Sequence, residues 1–146
     1  AITADALRCV CERVDISSAV TEGLSKDEHP LSPGMKYRHY APAIPLMLID
    51  GSEESVIKFL RNAQNSEKCA IICYHEELDF LRFERLIDIG SKKDLAEQAH
   101  TLFSALRDAD KLDCDVIYAH LPPKDGIGLA LYNRLIRAAA HTVIHV

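Results

Sequence analysis

At 146 residues the chain suits one domain of ordinary size, with a core that needs no disulfide or metal staple. Its net charge of −5 gives no general electrostatic reason to hold free nucleic acid or a membrane surface. No run approaches the roughly 18 apolar residues of a membrane span, and the start lacks a charged-then-apolar leader, so a cytoplasmic protein is expected.

Thr3 is a plausible N-cap, and Leu7, Val10 and Val14 recur at helical spacing, which predicts a short amphipathic helix over 4–14. Its apolar face has no obvious partner in the chain. Residues 15–34 mix Ser, Thr, Glu, Gly, Lys, Asp and Pro without a period, which is linker composition. Pro33-Gly34 is a turn dipeptide and Pro42 biases Ala41 away from the helical region, so 35–41 is expected to run extended. Side chains alternate in such a ribbon, with Tyr37 and His39 on one side and Lys36, Arg38 and Tyr40 on the other. Cations and aromatic faces on both sides suit a phosphate- or nucleotide-bearing surface. The plainer alternative is a linker packed on its own domain.

From residue 44 onward apolar runs alternate with helical periods. Residues 44–50 read as a strand buried on both faces, with Pro45 tolerable near its start. Gly51-Ser52 ends it and caps a helix over 53–64. Residues 68–74 form a second buried strand, 76–83 an ambiguous short helix, and 85–89 a third strand. The period of Leu95, Ala99, Leu102, Phe103, Leu106 and Ala109 predicts a helix over 92–110. A fourth strand over 114–119, a helix over 127–140 and a fifth strand over 142–146 complete the chain. This alternation predicts a three-layer α/β fold: a mostly parallel, five-stranded Rossmann-like sheet with helices on both faces.

Ligands in such folds gather beyond the carboxyl ends of the strands, here the loops at 50–52, 74–76, 90–91 and 120–126. In the last of these, Lys124 precedes Gly126-Ile127-Gly128 where a helix starts, and Asn133, Arg134 and Arg137 follow on it. Free N–H groups there could hold an anion or dock the linker, while the glycines could equally serve a tight turn and close helix packing. The dinucleotide fingerprint is incomplete, and Glu53 and Glu54 oppose a phosphate after the first strand. Neither a nucleophile elbow nor a P-loop is present. Seven histidines show no tetrahedral metal-ligand spacing, so no metal is expected, and His75 and His120 read as rim residues. Cys69 and Cys73, four apart in a strand, are expected on one face as small buried hydrophobes.

The stretch Ser32-Pro33-Gly34-Met35-Lys36-Tyr37-Arg38-His39-Tyr40-Ala41-Pro42 resembles the interdomain linker motif of the long-form, two-domain threonylcarbamoyl-AMP synthases of the YrdC-like family. Gly126-Ile127-Gly128-Leu129-Ala130-Leu131-Tyr132-Asn133-Arg134-Leu135-Ile136-Arg137-Ala138-Ala139 is similar to the closing helix of that family's C-terminal domain, and 102–110 resembles its penultimate helix. The resemblance implies a remnant helix of the catalytic domain at 1–14, an interdomain linker at 15–43 and a C-terminal α/β domain at 44–146. It further implies that the catalytic domain, which joins threonine, bicarbonate and ATP into threonylcarbamoyl-AMP and pyrophosphate for tRNA modification, is not part of this chain. ATP and magnesium would bind there, with no cofactor for this chain. Lys36, Tyr37, His39 and Tyr40, with Arg38 at a variable position, would contact the catalytic groove. The implied partners are the N-terminal YrdC-like domain and, indirectly, tRNA and the threonylcarbamoyl-transfer machinery. The competing expectation is a non-catalytic module that binds a small anionic effector, a protein or tRNA.

Overall fold

The computed structural model describes residues 4–15 and 41–146. The residues of the expected linker motif from Ser32 to Tyr40 lie outside the described residues. Helix α1 spans Ala4–Arg8, and β1 Leu46–Asp50, α2 Glu53–Ser66 and β2 Cys69–Cys73 follow. A 3-10 turn at His75–Glu77 runs into α3 at Leu78–Leu81, then β3 Leu86–Asp88, α4 Leu95–Ala109, β4 Val116–His120, α5 Gly126–Ala138 and β5 Val143–His145.

Every expected helix differs from its expected bounds, two of them for reasons visible at their ends. The one expected over 4–14 closes at Arg8, where the Val10 and Cys11 N–H groups both donate to the Leu7 carbonyl. Leu7 and Val10 are exposed, so no tertiary surface among the described residues supports further turns, and a short helix is marginal without one. The helix expected from residue 92 begins at Leu95, because the Asp94 carboxylate accepts from the Ala96 and Glu97 N–H groups and fixes the start. The fourth strand likewise runs one residue further than expected and carries His120 at its end.

All five strands are parallel, in the order β3-β2-β4-β1-β5. The expected Rossmann-like sheet is therefore observed, with β4 inserted between β1 and β2. Alternation along the strands builds two cores. Leu46, Leu48, Ala70, Ile72, Ile117 and Ala119 face α4 and α5, which contribute Leu102, Leu106, Leu131 and Leu135. Ile49, Cys69, Ile71, Cys73, Val116 and Tyr118 face α2 and α3, which contribute Val56, Leu60 and Leu81. Cys69 and Cys73 share one face, fully buried, and burial pushes the Cys73 thiol up to about 12.

The helix distribution follows from handedness. The connections through α2 and α3 step one way across the sheet and those through α4 and α5 step back, so right-handed crossovers put the two pairs on opposite faces. Strands β1 and β4 are neighbours whose following helices leave to opposite faces, which opens a crevice above Asp50 and His120.

The chain enters β1 under restraint. Asp110, at the C-terminal end of α4, accepts from the Ala43 N–H at 2.8 Å and the Ile44 N–H at 3.3 Å. A carboxylate is disfavoured at a helix C-terminus by the dipole, so the placement is explained by the two amide donors it captures. Asp110→Ala is expected to cost about 1–2 kcal/mol. Urea unfolding checks this, and faster amide exchange confined to 43–46 would locate the loss at the start of the strand.

Candidate functional site

Five strand ends meet at the carboxyl edge of the sheet, and four of them close on a polar side chain, Asp50, Asp88, His120 or His145. His120, closing the central strand β4, places Nε2 2.8 Å from Glu77 Oε2, and the two side chains are only 13% and 6% exposed. Glu77 reaches inward because the 3-10 turn redirects the chain directly after β2. Its Oε2 also accepts the Tyr74 N–H at 3.0 Å, and the Glu77 N–H donates to the Tyr74 carbonyl. The Tyr74 ring stacks on the His120 imidazole with centroids 4.4 Å apart. Burial, then the neighbouring Glu77, pushes the Tyr74 hydroxyl up to about 12. Glu77 Oε1 is buried without a hydrogen-bond partner among the described residues.

Around this pair the loops are held by carboxylates. Glu76 accepts from the Ser91 hydroxyl at 2.6 Å and the Lys92 N–H at 2.9 Å, and these bonds hold its carboxyl down at about 2. Buried Gln98 donates to the Ser91 carbonyl at 2.8 Å. The Lys92 ammonium bonds Glu53 at 2.6 Å and lowers its carboxyl. Two further histidines are paired at the rim, His75 with Asp88 at 2.8 Å and His145 with Asp50 at 3.0 Å.

Opposed pH dependences follow. The Asp88 hydrogen bond and charge raise His75 above its ordinary 6.5, so its contribution is full below that value and is lost as pH rises through the raised one. Glu76 is depressed, so its contribution is full above the ordinary 4.5 and is lost as pH falls through about 2. Both act together between about 4.5 and 6.5. NMR titration is expected to give a His75 midpoint above 6.5 that falls back in Asp88→Asn, and an unchanged midpoint in that variant would refute the pairing.

Two clefts adjoin here. One of about 440 Å³ lies over the crevice, with Asp50, Glu53, Tyr74, His120 and Lys124 on its surface. The other, about 710 Å³, lies between α2 and the 3-10 turn, against Ile57, Arg61, Glu77 and Phe80. Glu53 and Lys92 border both. No group of three or more possible metal ligands occurs among the described residues, and no helix there is long and apolar enough to cross a membrane.

The residues singled out on α5 fall into two places. Lys124, Gly126 and Gly128 stand at its start beside the first cleft. A Cβ on Gly128 would lie 2.7 Å from the Pro123 carbonyl oxygen, so close packing accounts for that glycine, while Gly126 sits at φ 46° in open space. Arg134 lies about 12 Å further along the helix axis, where its guanidinium covers the Phe103 ring at 5.3 Å. Asn133 Oδ1 is buried without a hydrogen-bond partner, and Arg137 lies one helical turn beyond Asn133. The structure thus separates Asn133, Arg134 and Arg137 from the cleft. Glu77 and Lys92 were not anticipated. The one signal for Glu77 was an acidic residue three positions past a strand end, the offset of a capping box.

The family described as "Threonylcarbamoyl-AMP synthase, C-terminal domain" matches residues 2–140. The chain belongs to that family. It is 36% identical over 127 residues to the threonylcarbamoyl-AMP synthase of Bacillus subtilis, a match covering 86% of this chain and 37% of that protein. A crystal structure of Pyrococcus abyssi Sua5 complexed with L-threonine superposes with a TM-score of 0.79 at 30% identity, covering 99% of this chain and 42% of that one. A variant of the same protein with an adjacent His-Tyr pair replaced by alanines gives 0.79 at 28% identity, covering 99% of this chain and 41% of that one. The chain therefore spans about a third of the length of the curated relatives it matches.

Proposed function

We propose that this chain is the regulatory, lid-bearing part of an L-threonylcarbamoyladenylate synthase, acting in the cytoplasm in the biosynthesis of threonylcarbamoyladenosine on tRNA. The observation that carries the reading is the family match, which extends from residue 2 to 140 and so spans the Lys36 to Tyr40 segment together with the α/β domain. In this reading Lys36, Tyr37, Arg38, His39 and Tyr40 lie against the groove of an N-terminal YrdC-like domain, which holds ATP with magnesium and threonine. The α/β domain supplies the anchor. Asp110 clamps the chain where it enters β1, which limits where a segment ending at Pro42 can reach. Closure of that segment shields the adenylate, a mixed anhydride sensitive to water, and opening releases it. The adjacent His39-Tyr40 pair in this sequence has the composition of the pair replaced in the Pyrococcus abyssi variant, which fits a functional linker.

Pyrophosphate release from ATP with threonine and bicarbonate tests the reading, comparing this chain alone, the N-terminal domain alone and the two joined. The chain alone is expected to be silent, and the joined protein to yield more intact adenylate than the N-terminal domain by itself. Equal yields from the last two would remove the lid.

A further inference from the structure

The 440 Å³ cleft at the carboxyl edge has a charge layout that the linker reading does not use. Its two walls come from the loops that carry the chain away from neighbouring strands to opposite faces. The wall after β1 presents Asp50 and Glu53. Glu53 is already matched by Lys92 at 2.6 Å, whereas among the described residues Asp50 has only the exposed His145 imidazole at 3.0 Å. The wall after β4 presents Lys124, whose ammonium lies over the Tyr132 ring at 4.7 Å with no carboxylate within ion-pair distance among the described residues. Between the walls lies His120, locked in orientation by the buried Glu77 carboxylate and by the stacked Tyr74 ring. Its Nε2–H donates to the Glu77 carboxylate, so Nδ1 of the neutral ring is a hydrogen-bond acceptor.

We propose that this cleft binds a small zwitterion of the free α-amino-acid class, with its ammonium toward Asp50 and its carboxylate toward Lys124, and with His120 lining the floor between them. A simple dianion or phosphate fits poorly, because Asp50 stands on the facing wall and like charges at short range repel. A simple cation meets Lys124 in the same way. A molecule carrying both charges satisfies both walls at once. The volume falls within the range of small-ligand clefts, and the site lies at the strand-order switch point where open α/β sheets bind ligands.

The test is an amide-resolved NMR titration of the whole chain with L-serine, L-leucine, L-lysine and L-glutamate, followed by the N-acetyl and carboxamide derivatives of any binder and by inorganic phosphate. At least one amino acid is expected to give saturable shifts at Gly51, His120 and Lys124, with each derivative at least about ten-fold weaker because one charge-assisted pairing is lost. Asp50→Asn and Lys124→Gln are each expected to weaken binding about ten-fold without changing Tm or the dispersion of the remaining amides. The absence of saturable rim shifts with all four amino acids overturns the proposal. Equal binding of the N-acetyl derivative, or tighter binding of phosphate, overturns it in favour of an anion site. Neither result touches the synthase assay, so the two readings fail separately.

Discussion

Glu77→Ala is expected to lower the free energy of unfolding by about 2–5 kcal/mol, although the residue sits in a three-residue turn outside both main cores. The carboxylate is the acceptor for the Tyr74 N–H and the bonding partner of His120 Nε2. Its removal leaves two nearly buried polar groups unpaired, each worth about 1–3 kcal/mol of desolvation. Opposing this, Glu77 Oε1 already lies buried without a partner, so the wild-type protein bears part of such a cost and the loss should fall toward the lower half of the range. Glu77→Gln separates the causes. It keeps an acceptor oxygen and the packing volume, and is expected to lose about half as much if acceptance of hydrogen bonds is what matters. Equal loss in both variants would assign the effect to the carboxylate charge. Urea unfolding of the two variants decides, and a loss under about 1 kcal/mol for the alanine variant would show that the turn relaxes to give His120 another partner.

The architecture was legible because the two periods in the sequence are clean. The apolar runs within 46–50, 69–73 and 116–120 could only be strands covered on both faces, and the stripe from Leu95 to Ala109 could only be a helix against them. The place of β4 between β1 and β2 was not legible. The three strands share the same pattern, so nothing local distinguishes which lies beside which, and the order is set by long-range packing of α4 and α5 on one face. Helix α1 shows the converse. Its apolar spacing continues to Val14, yet the helix stops at Arg8 and not at 14 as expected, since period alone does not supply a surface to bury Leu7 and Val10. At the rim, His120 was legible as a strand-end residue. Glu77 was not, because its inward aim depends on a 3-10 turn inside a segment whose pattern fits several short helices. Lys92 was absorbed into the expected helix and is in fact loop, pinned by the Glu76 carboxylate.

In the proposed full-length synthase, Tyr37→Ala combined with His39→Ala is expected to uncouple two readouts that rise together in the parent protein. The alternation expected of an extended 35–41 would put both residues on one side, so one double substitution would strip that face while leaving Lys36, Arg38 and Tyr40 in place. If the face only tethers two domains, pyrophosphate release and recovery of intact adenylate both stay unchanged. Should it instead position the reacting groups, both fall together, by up to on the order of 10²-fold. A lid that excludes water predicts a third pattern, in which pyrophosphate release persists while intact adenylate recovered per pyrophosphate drops, because the mixed anhydride is hydrolysed before it leaves. Measuring the ratio is therefore more informative than measuring either rate. Asp110→Ala supplies the control from within this chain: it leaves the ribbon's chemistry intact but frees the point where the segment joins β1. A lid that depends on that anchor shifts the ratio in the same direction by a smaller factor, and a ratio unmoved by both variants would leave the segment as a tether.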